Sequence, residues 1–184
     1  MSSQIVEELN ATSLAPGLGQ SGLELLAGCV SERNIPEGHV LFRQGDASSA
    51  AFVIRSGSLI AELVLPNGVS VEMARMGAGS VVGELCLVQE GARSLAVRSL
   101  EPTRLLVIER TAFEALRQAG SPAAYRVIRN ICVTLCDRLR TTNSFIEREF
   151  RHEPQKVVEA GGPQGGGFGQ RARQFFNQLL GRES

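Results

Sequence analysis

Gly79 Ser80 Val81 Val82 Gly83 Glu84 Leu85 Cys86 Leu87 Val88 Gln89 Glu90 Gly91 Ala92 Arg93 Ser94 stands between two short β-branched runs. In it, Gly83 lets the backbone approach a ligand closely and opens a short helical turn. The N–H groups of Leu85 and Cys86 then face outward at the first turn, where free donors and the positive helix end attract a phosphate. Arg93, at the start of the next strand, adds a cation whose planar donors match phosphate oxygens, and Ser94 adds a hydroxyl. Glu84 is an acceptor-only carboxylate, repelled by phosphate but suited to a ribose hydroxyl. Opposite polarities thus read opposite ends of one sugar phosphate. The plain alternative is an exposed Glu84–Arg93 ion pair flanking a loop, worth little in stability.

Around this stretch the texture is all β. From about residue 36, glycines at 38, 45, 57, 68, 77, 79, 83 and 91 separate short runs that read as strands at 39–43, 51–55, 58–65, 69–76, 94–100 and 104–109. Pro66, Asn67 and Gly68 mark a hairpin. Strands so short and numerous would expose their edges unless the sheet curled on itself. The expected fold is therefore mostly β with flanking helices: an antiparallel β-roll, a jelly-roll-like double-stranded β-helix, followed by a long C-terminal dimerisation helix.

Helical periodicity occupies the flanks. Residues 1–30 read as two helices, with Ile5, Val6 and Leu9 on one stripe and Leu23, Leu25, Leu26 and Cys29 on another. A helix at 111–118 stops at Gly120 and Pro122, and a long one runs from about 123 to 150. Along it Tyr125, Ile128, Cys132, Leu135, Leu139, Thr142 and Ile146 advance by alternating steps of three and four, a heptad seam that predicts a parallel homodimer. Packing on its own domain alone is the other reading. Val127 and Ile131 would face the roll, with Arg129, Asp137, Arg140 and Glu147 in solvent. After this helix six glycines fall between 161 and 169, a linker composition. Ala172, Phe175, Phe176, Leu179 and Leu180 then recur with amphipathic spacing. The expected divisions are N-terminal helices at 1–30, the roll at 31–121, the long helix at 122–151, a linker at 152–169 and a tail helix at 170–184.

Composition narrows the functional classes. The 184 residues are 43% hydrophobic, enough for one core, and Lys plus Arg equal Asp plus Glu at 19 each, so no global field draws the chain to a polyanion. No signal peptide and no apolar run of membrane-spanning length is read, which places the protein in the cytoplasm. Cys29, Cys86, Cys132 and Cys136 lack CxxC spacing and read as reduced core thiols. His39 and His152 are the only histidines, neither near a nucleophile or base partner, so an enzyme is not expected.

The pattern over residues 36–143 resembles the cyclic-nucleotide-binding family. Its phosphate-binding cassette holds Gly Glu Leu, seven residues and Arg between two strands of a β-roll, here Gly83 Glu84 Leu85 and Arg93. Pro36 Glu37 Gly38, Leu41 Phe42, Gly45 Asp46 and Phe52 Val53 Ile54 with Gly57 extend the likeness. The resemblance implies that Glu84 binds the ribose, and that Arg93, Ser94 and the amides of Leu85 and Cys86 bind the cyclic phosphate. Ala92 departs from the Pro of many eukaryotic cassettes. Ser94 is similar to the catabolite-activator branch, which implies that Thr142 reaches the adenine of its own subunit and Asn143 that of the partner. Thr142 is also the sole hydroxyl in the heptad seam, where a register-setting role is the alternative.

That branch continues into a helix-turn-helix domain. Here fewer than forty residues follow the long helix, too few and too glycine-rich for one, so direct DNA binding is not expected. The expected function is a stand-alone receptor without enzymatic activity or cofactor. Its ligand is cyclic AMP, with cyclic GMP as the alternative; it dimerises through the long helix and reaches an unidentified protein partner through residues 170–181. Competing readings are a transcription regulator with weak DNA contact through Arg171, Arg173 and Arg182, and a structural dimer whose pocket is degenerate or holds cyclic di-GMP.

Overall fold

The computed structural model describes residues 2–152; most of the linker expected at 152–169 and the tail helix expected at 170–184 lie outside the described residues. Helices α1 (Ser2–Asn10) and α2 (Gln20–Ala27) precede strands β1 (Val30–Ile35), β2 (Val40–Phe42), β3 (Ala50–Ser56), β4 (Leu59–Val64), β5 (Ser70–Met76), β6 (Val81–Val82), β7 (Ala96–Ser99) and β8 (Thr103–Glu109). Helices α3 (Arg110–Gln118) and α4 (Pro122–His152) follow. Two compact units divide the chain, residues 1–135 and 136–184, and α4 enters both.

The strands form two four-stranded antiparallel sheets, ordered β1-β8-β3-β6 and β2-β7-β4-β5. Apart from the β4–β5 hairpin, the chain alternates between them, as in a jelly roll. Central strands β3 and β8 carry unbroken apolar runs because both their faces are covered. Ala50, Phe52 and Ile54 of β3, with Leu105 and Val107 of β8, point into the space between the sheets. Ala51, Val53, Leu106 and Ile108 point the other way, into a second core with Leu9, Leu26, Phe113, Val127 and Ile131 of the helices.

Polar pins hold the helices on this outer face. The Arg55 side chain of β3, 7% exposed, forms ion pairs with Glu8 of α1 at 2.7 Å and Glu32 of β1 at 2.6 Å. Asn130 of α4 is buried, and its Nδ2 donates to the carbonyls of Leu14 at 2.8 Å and Pro16 at 2.9 Å. The loop between α1 and α2 is thereby fixed to α4.

The structure departs from the sequence reading at β1, β6 and the thiols. Strand β1 was hidden because Val30–Ile35 is a polar edge strand, exposed along most of its length. Strand β6 spans two residues, too few for any period. Pro122 opens α4, since its missing N–H falls where no intrahelical partner exists. The thiols are free, yet only Cys86 is buried; Cys132 and Cys136 are exposed and Cys29 is intermediate, so a common core role does not hold.

Candidate functional site

The stretch leaves β6 at Val82 and re-enters the sheet at β7. Gly83 turns the chain with φ 72° and ψ 20°, left-handed backbone that favours glycine, and a Cβ there would collide with Nη1 of Arg93. The helical turn expected after it is a four-residue 3-10 turn, Glu84–Leu87. Its Cys86 amide reaches back to the Gly83 carbonyl at 3.4 Å, a long bond, and four residues align too few dipoles to act as an anion site alone. The fixed positive charge is Arg93.

Glu84 and Arg93 are 6% and 7% exposed, so they are not the solvated surface pair of the plain alternative. The Arg93 guanidinium donates from Nη1 to the Gly83 carbonyl at 3.1 Å and from Nη2 to the Ala50 carbonyl at 2.6 Å. Its Cζ sits 4.1 Å from the ring centroid of Phe42 and 5.8 Å from that of Phe52, and the two rings stack 6.0 Å apart. Its Nε is buried without a hydrogen-bond partner. Burial lowers the Arg93 pKa, against the pull of Cys86, Asp46 and Glu84.

The surrounding chain fixes the arginine's backbone. Its N–H donates to the Asp46 carbonyl at 2.8 Å, and its carbonyl accepts from Gly45 at 2.8 Å. Asp46 in turn accepts the Arg43 amide at 2.8 Å, and Ser48 Oγ donates to Gly91 at 2.9 Å. This is the structural content of Gly45 Asp46: it pairs the loop after β2 with the returning end of the stretch. Beneath, Cys86 and Leu87 enter the same core as Val127 and Ile131 of α4. Burial pushes the Cys86 thiol up to about 11, with Arg93 and Arg110 acting against it. Arg110 of α3 also pairs with Glu90, tying the stretch to the helix after the roll.

The other expected site residues are placed as follows. Leu85 is exposed on the 3-10 turn, Cys86 is buried under it, and Ser94 is exposed at the bend before β7. Thr142 and Asn143 are exposed on α4 in the second unit, where the Thr142 hydroxyl donates to the Arg138 carbonyl at 2.9 Å. Sequence reasoning gave no role to Phe42, Phe52 or the Ala50 carbonyl, all of which hold Arg93. Phe42 had been visible only as part of a longer pattern. No group of His, Cys, Asp and Glu among the described residues could hold a metal ion. No described helix is long and apolar enough to cross a membrane.

The short turn inserted in the jelly roll thus buries a glutamate and an arginine together. Residues 32–119 match the family model of the cyclic nucleotide-binding domain. It is similar to the cyclic AMP receptor protein of Thermus thermophilus, 29% identical over 132 residues that span 72% of this chain and 59% of that one. Glutaminase 1 of Bradyrhizobium diazoefficiens is also 29% identical, over 76% of this chain but 22% of the enzyme. The chain therefore spans well under two thirds of either relative. Among solved structures, the Thermus thermophilus catabolite activator protein superposes with a TM-score of 0.68 at 27% identity, covering 80% of this chain and 67% of that one. A cyclic nucleotide-binding domain from Methylobacillus flagellatus gives 0.69 at 22% identity, covering 80% and 83%, a likeness of fold.

Proposed function

We propose that this protein is a cytoplasmic, non-enzymatic receptor for cyclic AMP. The observation that carries the reading is Arg93, a cation desolvated to 7% exposure and held by two backbone carbonyls and an aromatic face. Desolvating a charge is costly, and an anionic ligand that reaches it offsets the cost. A cyclic phosphate supplies that anion, and Glu84, one residue past Gly83, takes a ribose hydroxyl. The name of the Thermus relative, a cyclic AMP receptor, favours adenine over guanine. Ser94 completes the phosphate contacts, and Thr142 and Asn143 read the base from α4.

Ligand binding is transmitted through the core that Cys86 and Leu87 share with Val127 and Ile131, so movement of the cassette changes the packing of α4. The output is a homodimer through α4, with residues 170–181 contacting a partner protein. Calorimetric titration with cyclic AMP, cyclic GMP and cyclic di-GMP tests the reading. Binding of cyclic AMP that is tighter than that of the other two supports it; heat with none of the three, or a preference for cyclic di-GMP, overturns it.

A further inference from the structure

Away from the cassette, a cleft of about 220 Å³ lies where the loop between α1 and α2 meets the start of α4. Gly17, Gly19 and Ser21 line one side, and Ser121, Ala123 and Arg126 the other. Its volume is several times the ~30 Å³ that a water molecule takes in the liquid. Glycine shapes this side: Gly17 has φ 75°, left-handed backbone that favours glycine, and a Cβ on Gly22 would press on Leu18 Cδ2 at 3.1 Å.

Two helices begin at this cleft. Gly19 is the N-cap of α2, and Ser121 directly precedes α4. Helix N-termini present unpaired amides and the positive end of the dipole, which a capping side chain or an acid in the first turn ordinarily meets. Neither helix has one. Gly19 makes no side-chain cap, both first turns lack an acid, and the Ser121 Oγ, on a residue 9% exposed, has no hydrogen-bond partner. The Arg126 side chain adds a full charge, with Cδ, Nε and Nη1 each 3.5 Å from where a Cβ on Gly17 would stand. No carboxylate lines the cleft.

We propose that this cleft is a second, separate anion site that takes a phosphate monoester. The dianion caps α2, reaches the Ala123 amide at the start of α4 and pairs with Arg126; its several acceptor oxygens match these amides, a hydroxyl and a guanidinium better than a carboxylate does. Leu18, Leu25 and Pro122 cover the organic part of the ligand. Occupancy ties the loop between the N-terminal helices to the first turn of α4, so the ligand biases the position of the helix that the cassette also touches.

The test is an amide NMR titration of the full chain with inorganic phosphate, at constant ionic strength against chloride, in an Arg93→Ala background that removes the cation of the cassette. Saturable shifts at Gly19, Ser21 and Ala123 are expected, with a midpoint raised at least about tenfold by a further Arg126→Gln change. Ser121→Ala, at a position that caps nothing, should raise the midpoint by a smaller factor while the spectrum stays folded. Shifts that chloride reproduces, that never saturate, or that Arg126→Gln leaves at the same midpoint overturn the proposal. Because the cassette is disabled throughout, the outcome is independent of whether cyclic AMP binds there.

Discussion

The guanidinium carbon of Arg93 stands 4.1 Å from the ring centroid of Phe42, so the only cation buried in the cassette rests on an aromatic face supplied by β2. A desolvated cation over such a face gains ~0.5–2 kcal/mol. Phe42→Leu keeps apolar volume but removes the face, and we expect it to weaken cyclic AMP binding between about twofold and thirtyfold. Phe42→Tyr restores the face and the affinity. Equal affinities for the Leu and Tyr variants by calorimetry would mean that Phe42 merely fills space.

Arg93 itself separates binding from folding. Arg93→Met retains an unbranched apolar stem over Phe42 but loses the charge, and removing the one cation from a desolvated phosphate site should cost ~2–5 kcal/mol of affinity. Stability responds differently. The lost bonds to the Gly83 and Ala50 carbonyls are offset by removal of a buried charge, so the unfolding free energy of the ligand-free protein should change by about 1 kcal/mol or less. Denaturant unfolding beside calorimetry checks both halves. A variant that binds like the parent, or that unfolds at much lower denaturant, contradicts the assignment.

How far the sequence revealed this site depends on whether a residue's role is local. Gly83, Glu84 and Arg93 could be read because a turn, an acceptor and a cation at fixed spacing carry meaning within sixteen residues. The burial of Arg93 could not, since Ala50 and Phe42 lie more than forty residues upstream and belong to β3 and β2, one strand from each sheet of the roll. Strands with alternating or fully apolar runs were legible, and β1 was not, because its partner β8 supplies the apolar surface. Asn130 gave no signal either: a polar residue in a long helix ordinarily faces solvent, and its two acceptors belong to a loop far back in the chain.

That placement of Asn130 makes a stability prediction. Asn130→Ala leaves the Leu14 and Pro16 carbonyls without their donor in a buried setting, and each orphaned group costs ~1–3 kcal/mol. We expect a total loss of ~2–4 kcal/mol by chemical denaturation, the lower part of the summed range because water reaches a loosened loop. Asn130→Asp should do no better, since a carboxylate accepts and cannot donate to a carbonyl. Wild-type stability in either variant would show that the loop between α1 and α2 is held by its apolar contacts alone.

Cys86 supplies a pH dependence. Its thiol pKa is raised to about 11 from an ordinary value of 9.0, chiefly by burial, so the folded state holds the proton more tightly than the unfolded chain. The contribution to stability is therefore complete below about pH 9 and is lost as pH rises toward 11. Cys86→Ala should flatten the stability profile across that window. At pH 8 the buried thiol should alkylate only as fast as the protein opens, while exposed Cys136 reacts freely. Mass spectrometry that finds Cys86 modified at the pace of Cys136 would refute the burial argument.

The helix α4 leaves Tyr125, Val133 and Leu139 exposed at 56%, 46% and 50%. Large apolar side chains at these exposures on one helix favour a covering surface, and the alternating three and four spacing that includes Leu139 favours another copy of the same helix. The seam residues are not equivalent, however. Ile128 and Leu135 are partly buried against the core of their own domain, so charging Leu135 would disturb folding as well as association. Leu139 makes the cleaner test. Leu139→Glu should leave the circular dichroism spectrum and the unfolding midpoint of the roll intact while shifting the mass in solution from twice 19.7 kDa to 19.7 kDa. Light scattering over a dilution series distinguishes the outcomes. A wild-type protein that is monomeric at every concentration, or a Leu139→Glu protein that stays dimeric, would remove α4 as the dimer interface and leave its exposed side chains to another partner.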